Sequence, residues 1–242
     1  MTRFAKLLRS WRGLFSSRIV HPVLARHRKA QAGREQASLL DALEFVVVDT
    51  ELTGFDPRHD AMVSIGAVRL RGLTIVPGET FYTLVRPDCD VPRDSSLIHR
   101  LTAAELVHAP PVPEALAGFL DFLGPAAIVG HHVDLDMAFL NAAARRHMGG
   151  DLAAPCIDTL RLAMAMEEKR LTFEGGFGDF EHMGYSLPSL CRRYGLPAFS
   201  AHDARSDAMA AAYLFLYLSK KLGRGRPLSL AGLWRAGRLW WR

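Results

Sequence analysis

Asp49-Thr50-Glu51 stands where a short β-branched run, Phe45-Val46-Val47-Val48, comes to an end. Side chains two apart on a strand share a face, so both carboxylates point the same way. Two anions held that close repel each other unless a cation neutralises them. A lone Asp-x-Glu at a strand end is equally the start of a solvated loop, so the motif needs company.

Two further segments supply it. His131-His132-Val133-Asp134-Leu135-Asp136 follows a second apolar stretch, and one of its aspartates should be a helix N-cap. Asp134 suits that role, which leaves Asp136 in the first helical turn, free to point back over the strand ends. Adjacent His131 and His132 on an extended segment face opposite ways and make a poor zinc pair. The third segment, His202-Asp203-Ala204-Arg205-Ser206-Asp207, precedes an Ala-rich helix. Were His202 and Asp207 both helical, five residues would separate them by about 140°. His202 therefore reaches the same centre only from the loop, with Asp203 as N-cap. Asp207 shares a stripe with Ala210, Ala211, Leu214 and Leu218, and a carboxylate there needs a metal or a partner such as Arg205 or Arg145.

These groups must be held by a framework. Residues 45–48, 62–70 and 80–85 read as strands at short separations, hence an antiparallel meander, with Pro77-Gly78 dividing the last two. Thr102 and Glu105 form a capping box. Residues 113–123, 134–147, 159–169, 187–194 and 203–218 carry helical patterns, with Gly195 as a stop, and 126–130 is another strand. Gly175-Gly176-Phe177-Gly178 reads as a loop. Strands first, then helix and strand in alternation, imply an α/β fold: a mixed sheet, antiparallel over three strands and then parallel, flanked by helices.

The chain has 242 residues, 49% hydrophobic and 23% charged, enough for a core without disulfide or metal staples. Cys89, Cys156 and Cys191 form no Cys-x-x-Cys pair, which fits a reducing, cytoplasmic compartment. The longest apolar run, residues 208–218, is about half of the ~20 residues that span a bilayer, so no transmembrane segment is expected.

The net charge of +5 is unevenly placed. Residues 1–36 hold nine Lys or Arg and one acid, and residues 219–242 hold seven and no acid, so 37–218 carry −10. The organisation implied is a basic amphipathic N-terminal extension (1–36), a domain (37–222) and a basic aromatic C-terminal extension (223–242). Residues 4–20 pattern as a basic amphipathic helix and 27–36 as a linker. The extensions suit helices packed on the domain, peripheral contact with an anionic membrane surface, or contacts with nucleic acid or protein.

Asp49-x-Glu51 with Thr53-Gly54, Asp136 before Phe139-Leu140, and His202-x4-Asp207 together resemble the DEDDh exonuclease family. Ile98-His99-x-Leu101-Thr102 resembles that family's segment between its first two motifs. The similarity runs over about residues 44–218. The family has the ribonuclease-H-like fold and includes the epsilon proofreading subunit of the bacterial replicative polymerase, ribonuclease T and oligoribonuclease.

The resemblance implies a 3′–5′ exonuclease that releases nucleoside monophosphates from DNA, or RNA, 3′ ends. Asp49, Glu51, Asp136 and Asp207 would hold two ions, His202 would be the general base, and Thr50, Thr53, Gly54, His99 and His131 would contact single-stranded substrate. Carboxylates without cysteine favour Mg²⁺ or Mn²⁺ over Zn²⁺. A proofreading or processing subunit working with a polymerase or other protein partner, and an oligoribonuclease-like RNA exonuclease, are the alternatives. Leu52, Arg100, His132 and Leu135 depart from the family pattern, the last three replacing a usual glycine, asparagine and phenylalanine; these departures bear on substrate fit.

Overall fold

The computed structural model describes residues 20–32, 39–174, 184–200, 202–223 and 228–236. The expected helix over 4–20, the glycine-rich loop at 175–178 and the last residues of the C-terminal extension lie largely or wholly outside them. Everything is built around β1 (Glu44–Leu52), whose Phe45, Val46, Val47 and Val48 are all fully buried. A strand with no polar alternation must be covered on both faces. β2 (Met62–Arg71) and β3 (Thr74–Leu84) extend it antiparallel on one side, β4 (Ala127–Gly130) and β5 (Cys156–Asp158) parallel on the other. The five-stranded order is β3-β2-β1-β4-β5, the mixed sheet expected from the sequence.

The helices are α1 (Pro22–Gln31), α2 (Arg93–His99), α3 (Ala103–Leu106), α4 (Val112–Leu123), α5 (Val133–His147), α6 (Thr159–Glu174), α7 (Leu187–Arg193), α8 (Ala204–Gly223) and α9 (Leu230–Ala236). On one face Val46, Val48 and Ile128 meet Leu116, Phe119, Leu120 and Leu140 of α4 and α5. On the other, Phe45, Val47 and Val129 meet Leu162, Leu190, Leu214 and Phe215 of α6, α7 and α8. The alternation of β1 continues past its apolar half: Asp49 and Glu51 inherit the face of α8, and Thr50 that of α5.

Three local expectations change. The break between β2 and β3 is at Gly72 (φ +56°), and Pro77-Gly78 lies inside β3. β3 is an edge strand, where a missing N–H is tolerated. Residues 27–31, read as linker, belong to α1. Pro22 sits in its first turn, His21 Nδ1 accepts from Val23 N, and Leu24, His27 and Gln31 are buried. Gln31 Nε2 donates to the carbonyls of Gly124 and Ala126, which polarity alone did not reveal. Asp134 is not the N-cap of α5; that position is His132, in a left-handed conformation. The Thr102–Glu105 capping box and the Gly195 stop (φ +63°) stand as expected.

α8 lies close on β1 and β2 because the residues between them are small. Ala204, Ala208, Ala211 and Ala212 are buried, and farther along the helix Phe215 meets Phe45 with ring centroids 5.2 Å apart. Gly66 pairs with Asp49 across β1 and β2, and a Cβ there would collide with the backbone of Ala204 and Arg205. A glycine in a strand marks such an approach. Gly66→Ala is expected to force the start of α8 off the sheet and cost about 1–3 kcal/mol, the usual overpacking penalty. Urea unfolding checks it: an unchanged midpoint would mean that α8 yields freely there.

Candidate active site

The carboxyl end of β1 and the starts of α5 and α8 converge. Asp49, Glu51 and Asp207 each offer a carboxylate oxygen within 4.8 Å of the other two. Asp49 and Glu51 come from one face of β1, and Asp207 comes from the first turn of α8. Asp207 Oδ2 accepts from the backbone N of His202 at 2.8 Å, which ties the loop before α8 to the cluster. The alternative of an arginine pair fails: Arg205 lies over the Tyr82 ring and Arg145 pairs with Asp151. Asp203 caps α8 by accepting from Ser206 N and Oγ, as expected.

Asp136 is buried in the first turn of α5. Its Oδ1 accepts from Thr50 N at 2.9 Å and Thr50 Oγ1 at 2.6 Å. Thr50 thus positions a carboxylate, a role the resemblance did not assign to it.

Other expected substrate contacts are likewise engaged by the protein. His131 Nε2 meets the Tyr185 carbonyl and Nδ1 meets Thr159 Oγ1. Burial pushes the His131 ring down to about 4, so it is neutral and steadies the turn before α5. Thr53 exchanges two bonds with Ala61, closing the β1–β2 loop. Gly54 gives Asp60 the room that a Cβ would fill. His99 and His202 line a common cleft with Glu51.

Two residues outside the sequence motifs hold this arrangement. Gly66 admits α8. Asp158, at the end of β5, accepts from His132 N and Leu160 N, both at 2.9 Å, and so pins the residue that starts α5. Its signal was available as Asp-Thr directly before a helical pattern.

The non-glycine residues with positive φ among those described are Arg100, His132 and His202, at 59°, 60° and 62°. Arg100 and His202 line the cleft, and His132 is the N-cap of the helix that carries Asp136. Left-handed backbone costs roughly 1–2 kcal/mol per residue, and such strain gathers where function over-determines the chain. Histidine tolerates it better than most residue types.

The carboxylates are electrostatically uneasy. Burial, then Asp136, Asp207 and Glu51 in turn, holds Asp49 well above the ordinary carboxylate range. Burial and the neighbouring aspartates push Glu51 up to about 7. Burial pushes Asp136 to about 7 against its two Thr50 bonds. Asp207 is raised by burial, with the His202 amide acting the other way. Crowded oxygen donors that resist ionisation fit a hard divalent cation, which would relieve the repulsion.

A mixed sheet whose central strand ends in two carboxylates, joined by one from each of two helix starts, defines the acid-cluster nucleases of the ribonuclease-H-like fold. Residues 46–215 match the RNase_T exonuclease family, and the chain belongs to it. It is 34% identical over 185 residues to DNA polymerase III subunit epsilon of Aquifex aeolicus, covering 76% of this chain and 84% of that one. It is 36% identical over 182 residues to the PolC-type DNA polymerase III of Thermotoga maritima, covering 74% of this chain but only 12% of that protein. Among solved structures, Exonuclease X in complex with 5′ overhanging duplex DNA superposes with TM-score 0.58 at 22% identity, over 80% of this chain and 99% of that one. E. coli Exonuclease I in complex with a dA16 oligonucleotide gives 0.64 at 20% identity, over 75% and 42%. These two share the fold.

The raised carboxylates carry a pH signature. Glu51 and Asp136 hold protons up to about pH 7 when folded, against ordinary values of 4.5 and 3.8. Folding therefore takes up protons between about pH 4 and 7, and stability falls as pH rises through that window. In EDTA, Tm is expected to be lower at pH 7.5 than at pH 5. Mg²⁺ or Mn²⁺ is expected to restore it at pH 7.5, by about 2.7 kcal/mol at a hundredfold excess over Kd. Calorimetry at both pH values decides; a metal effect that is no larger at pH 7.5 would contradict an origin in crowded carboxylates.

Proposed function

We propose that this chain is a 3′–5′ exonuclease that removes nucleoside 5′-monophosphates from the ends of single-stranded DNA, and of RNA where the cleft accepts a 2′-hydroxyl. The observation that carries this reading is the convergence of Asp49, Glu51 and Asp207, with Asp136 pinned beside them by Thr50. Asp49, Glu51 and Asp207 would hold one Mg²⁺ or Mn²⁺, and Asp49 with Asp136 a second. Such ions, when bound, neutralise the acids and stabilise charge on a phosphate undergoing in-line displacement.

The chain's own residues do the rest. His202 is exposed, on a loop anchored to Asp207, and its imidazole takes the proton from the attacking water. Water oxygen bonds to phosphorus, the P–O3′ bond breaks, and the departing O3′ takes a proton from solvent, so the shortened strand leaves with a 3′-hydroxyl. His99 lines the cleft next to His202 and contacts the terminal nucleotide. Thr53, Gly54 and His131 act by shaping the surrounding loops. The nuclease unit is 37–222, braced by α1 and α9 from the two basic extensions; the side chains of Leu230 and Leu233 are buried on it.

A second reading is supported by one observation: the chain aligns over most of the length of the A. aeolicus epsilon subunit. In that reading it edits or processes ends alongside a polymerase, in the cytoplasm. No helix among the described residues is long and apolar enough to cross a membrane. Co-elution with a polymerase III catalytic subunit, or separate elution, distinguishes subunit from free enzyme.

His202→Ala is expected to lower kcat by about 10²–10⁴-fold while leaving cation affinity nearly unchanged. Asp207→Asn is expected to abolish cation-dependent turnover with little loss of stability, because the amide oxygen can still accept from His202 N. Labelled DNA and RNA oligonucleotides, followed for stepwise shortening with Mg²⁺, Mn²⁺ or EDTA, provide the measurement. Full activity in His202→Ala removes the base assignment. No shortening of either polymer by the wild-type chain removes the exonuclease reading.

A further inference from the structure

Arg100 ends α2 in the left-handed region, at φ 59° and ψ 17°, where glycine sits without cost. The other two left-handed non-glycine residues described are histidines, a type enriched there; an arginine is not. Something must offset the strain. Among the described residues Arg100 forms no ion pair, although Glu51 and Asp203 line the same cleft. Its neighbour in cationic character, Arg205, is spread over the Tyr82 ring.

The cleft has a volume of about 160 Å³ and is bordered by Glu51, Ser64, Tyr82, His99, Arg100 and His202 among others. His99 is buried, and its Nε2, shielded from solvent in the resting structure, has no hydrogen-bond partner among the described residues. Leu101 N donates to His99 Nδ1, so the neutral ring carries its proton on Nε2, a donor awaiting an oxygen. Burial lowers the His99 pKa, in keeping with that neutral form. The cleft is lined mainly by polar side chains, among them Ser64, Tyr82, Ser200 and His202, with the acids Glu51 and Asp203, and Arg100 is its exposed cation.

We propose that Arg100 binds a non-scissile phosphate of the nucleic-acid strand, anchoring the polymer next to the terminal nucleotide. The inference rests on the exonuclease reading and deepens it. The scissile phosphate belongs at the carboxylates, where Asp49, Glu51 and Asp207 meet. A polyanion approaching that cluster needs a fixed positive group at its side, and a guanidinium presents forked donors to phosphate oxygens. The left-handed turn puts this side chain where an ordinary helical C-terminus would not.

The test compares Arg100→Gly, Arg100→Asn and Arg100→Lys, the first two being residues that accept the left-handed backbone. Binding is read by fluorescence anisotropy of a single-stranded oligonucleotide whose 3′-terminal linkage alone is a hydrolysis-resistant phosphorothioate, in Mg²⁺ and over a range of salt. Turnover is read as the ratio of kcat/KM for an oligonucleotide to that for thymidine 5′-(p-nitrophenyl phosphate), which has only the scissile phosphate.

Arg100→Gly and Arg100→Asn are expected to weaken oligonucleotide binding about 10-fold. They should also flatten the slope of log affinity against log salt by about 0.7, one single-strand phosphate contact, and lower the turnover ratio by a similar 10-fold. Arg100→Lys is expected to recover most of the salt slope. Unchanged affinity and slope in the glycine and asparagine variants would overturn the proposal, as would equal losses on polymer and ester. A wild-type chain that binds the oligonucleotide through Arg100 but cleaves neither substrate would sink the exonuclease reading and leave the phosphate contact standing.

Discussion

The structure is organised around a repulsion. Three carboxylates within 4.8 Å of one another, with a fourth beside them, would not stay together in an unconstrained chain. At that distance each like-charged pair costs on the order of 3 kcal/mol at an effective dielectric of about 20. The fold supplies the constraint. β1 is buried on both faces over Phe45 to Val48, so its end has no freedom to swing Asp49 and Glu51 apart. The alanines of α8 and the missing side chain of Gly66 bring Asp207 against them. Thr50, on the opposite face of the strand, fastens Asp136 through two bonds to a single oxygen. Neighbouring residues of one strand thereby collect acids from two helices.

Strain is distributed by the same logic. His132 would relax from its left-handed conformation if Asp158 did not accept from its N–H, and His202 if Asp207 did not. In each case the bond that holds the backbone comes from, or leads to, an acid at the start of a helix. The geometry of the site and the entry angles of α5 and α8 are therefore one problem with one solution. Moving either histidine to an ordinary conformation would turn the first helical residues away from the sheet.

Much of this was legible beforehand, and the reasons are physical. The uninterrupted apolar run of β1, the period-two placement of Asp49 and Glu51, the capping roles of Thr102 and Asp203, and the inward stripe of Asp207 are all local patterns. What escaped was decided by partners far along the chain. Thr50 and His131 look like free polar groups at a motif; Asp136, 86 residues on, and Tyr185, 54 residues on, claim them. α1 is polar enough to pass for a linker because its contribution is two amide bonds from Gln31 and a few buried side chains. Asp134 matched the capping pattern, yet the chain turns one residue pair earlier, at His132, because Asp158 on β5 is waiting for it. Gly66 was readable as a close approach, but the sequence could not say what approached.

The protein offers its acids only weak compensation. Asp136 and Asp207 sit in first turns, where a helix dipole stabilises a negative side chain by roughly 0.3–1 kcal/mol. The hydrogen bonds from Thr50 and the His202 amide each add about 1.5–3 kcal/mol to a charged acceptor. Set against several repulsive pairs, the burial of Asp136 and the partial burial of the other three acids, these do not restore normal ionisation, as the elevated pKa values of Asp49, Glu51 and Asp136 reflect. Only a charge placed among the carboxylates themselves can balance them. The arrangement is therefore a preorganised cluster of acids, whose strained loops and close-packed helix are the cost of holding it together.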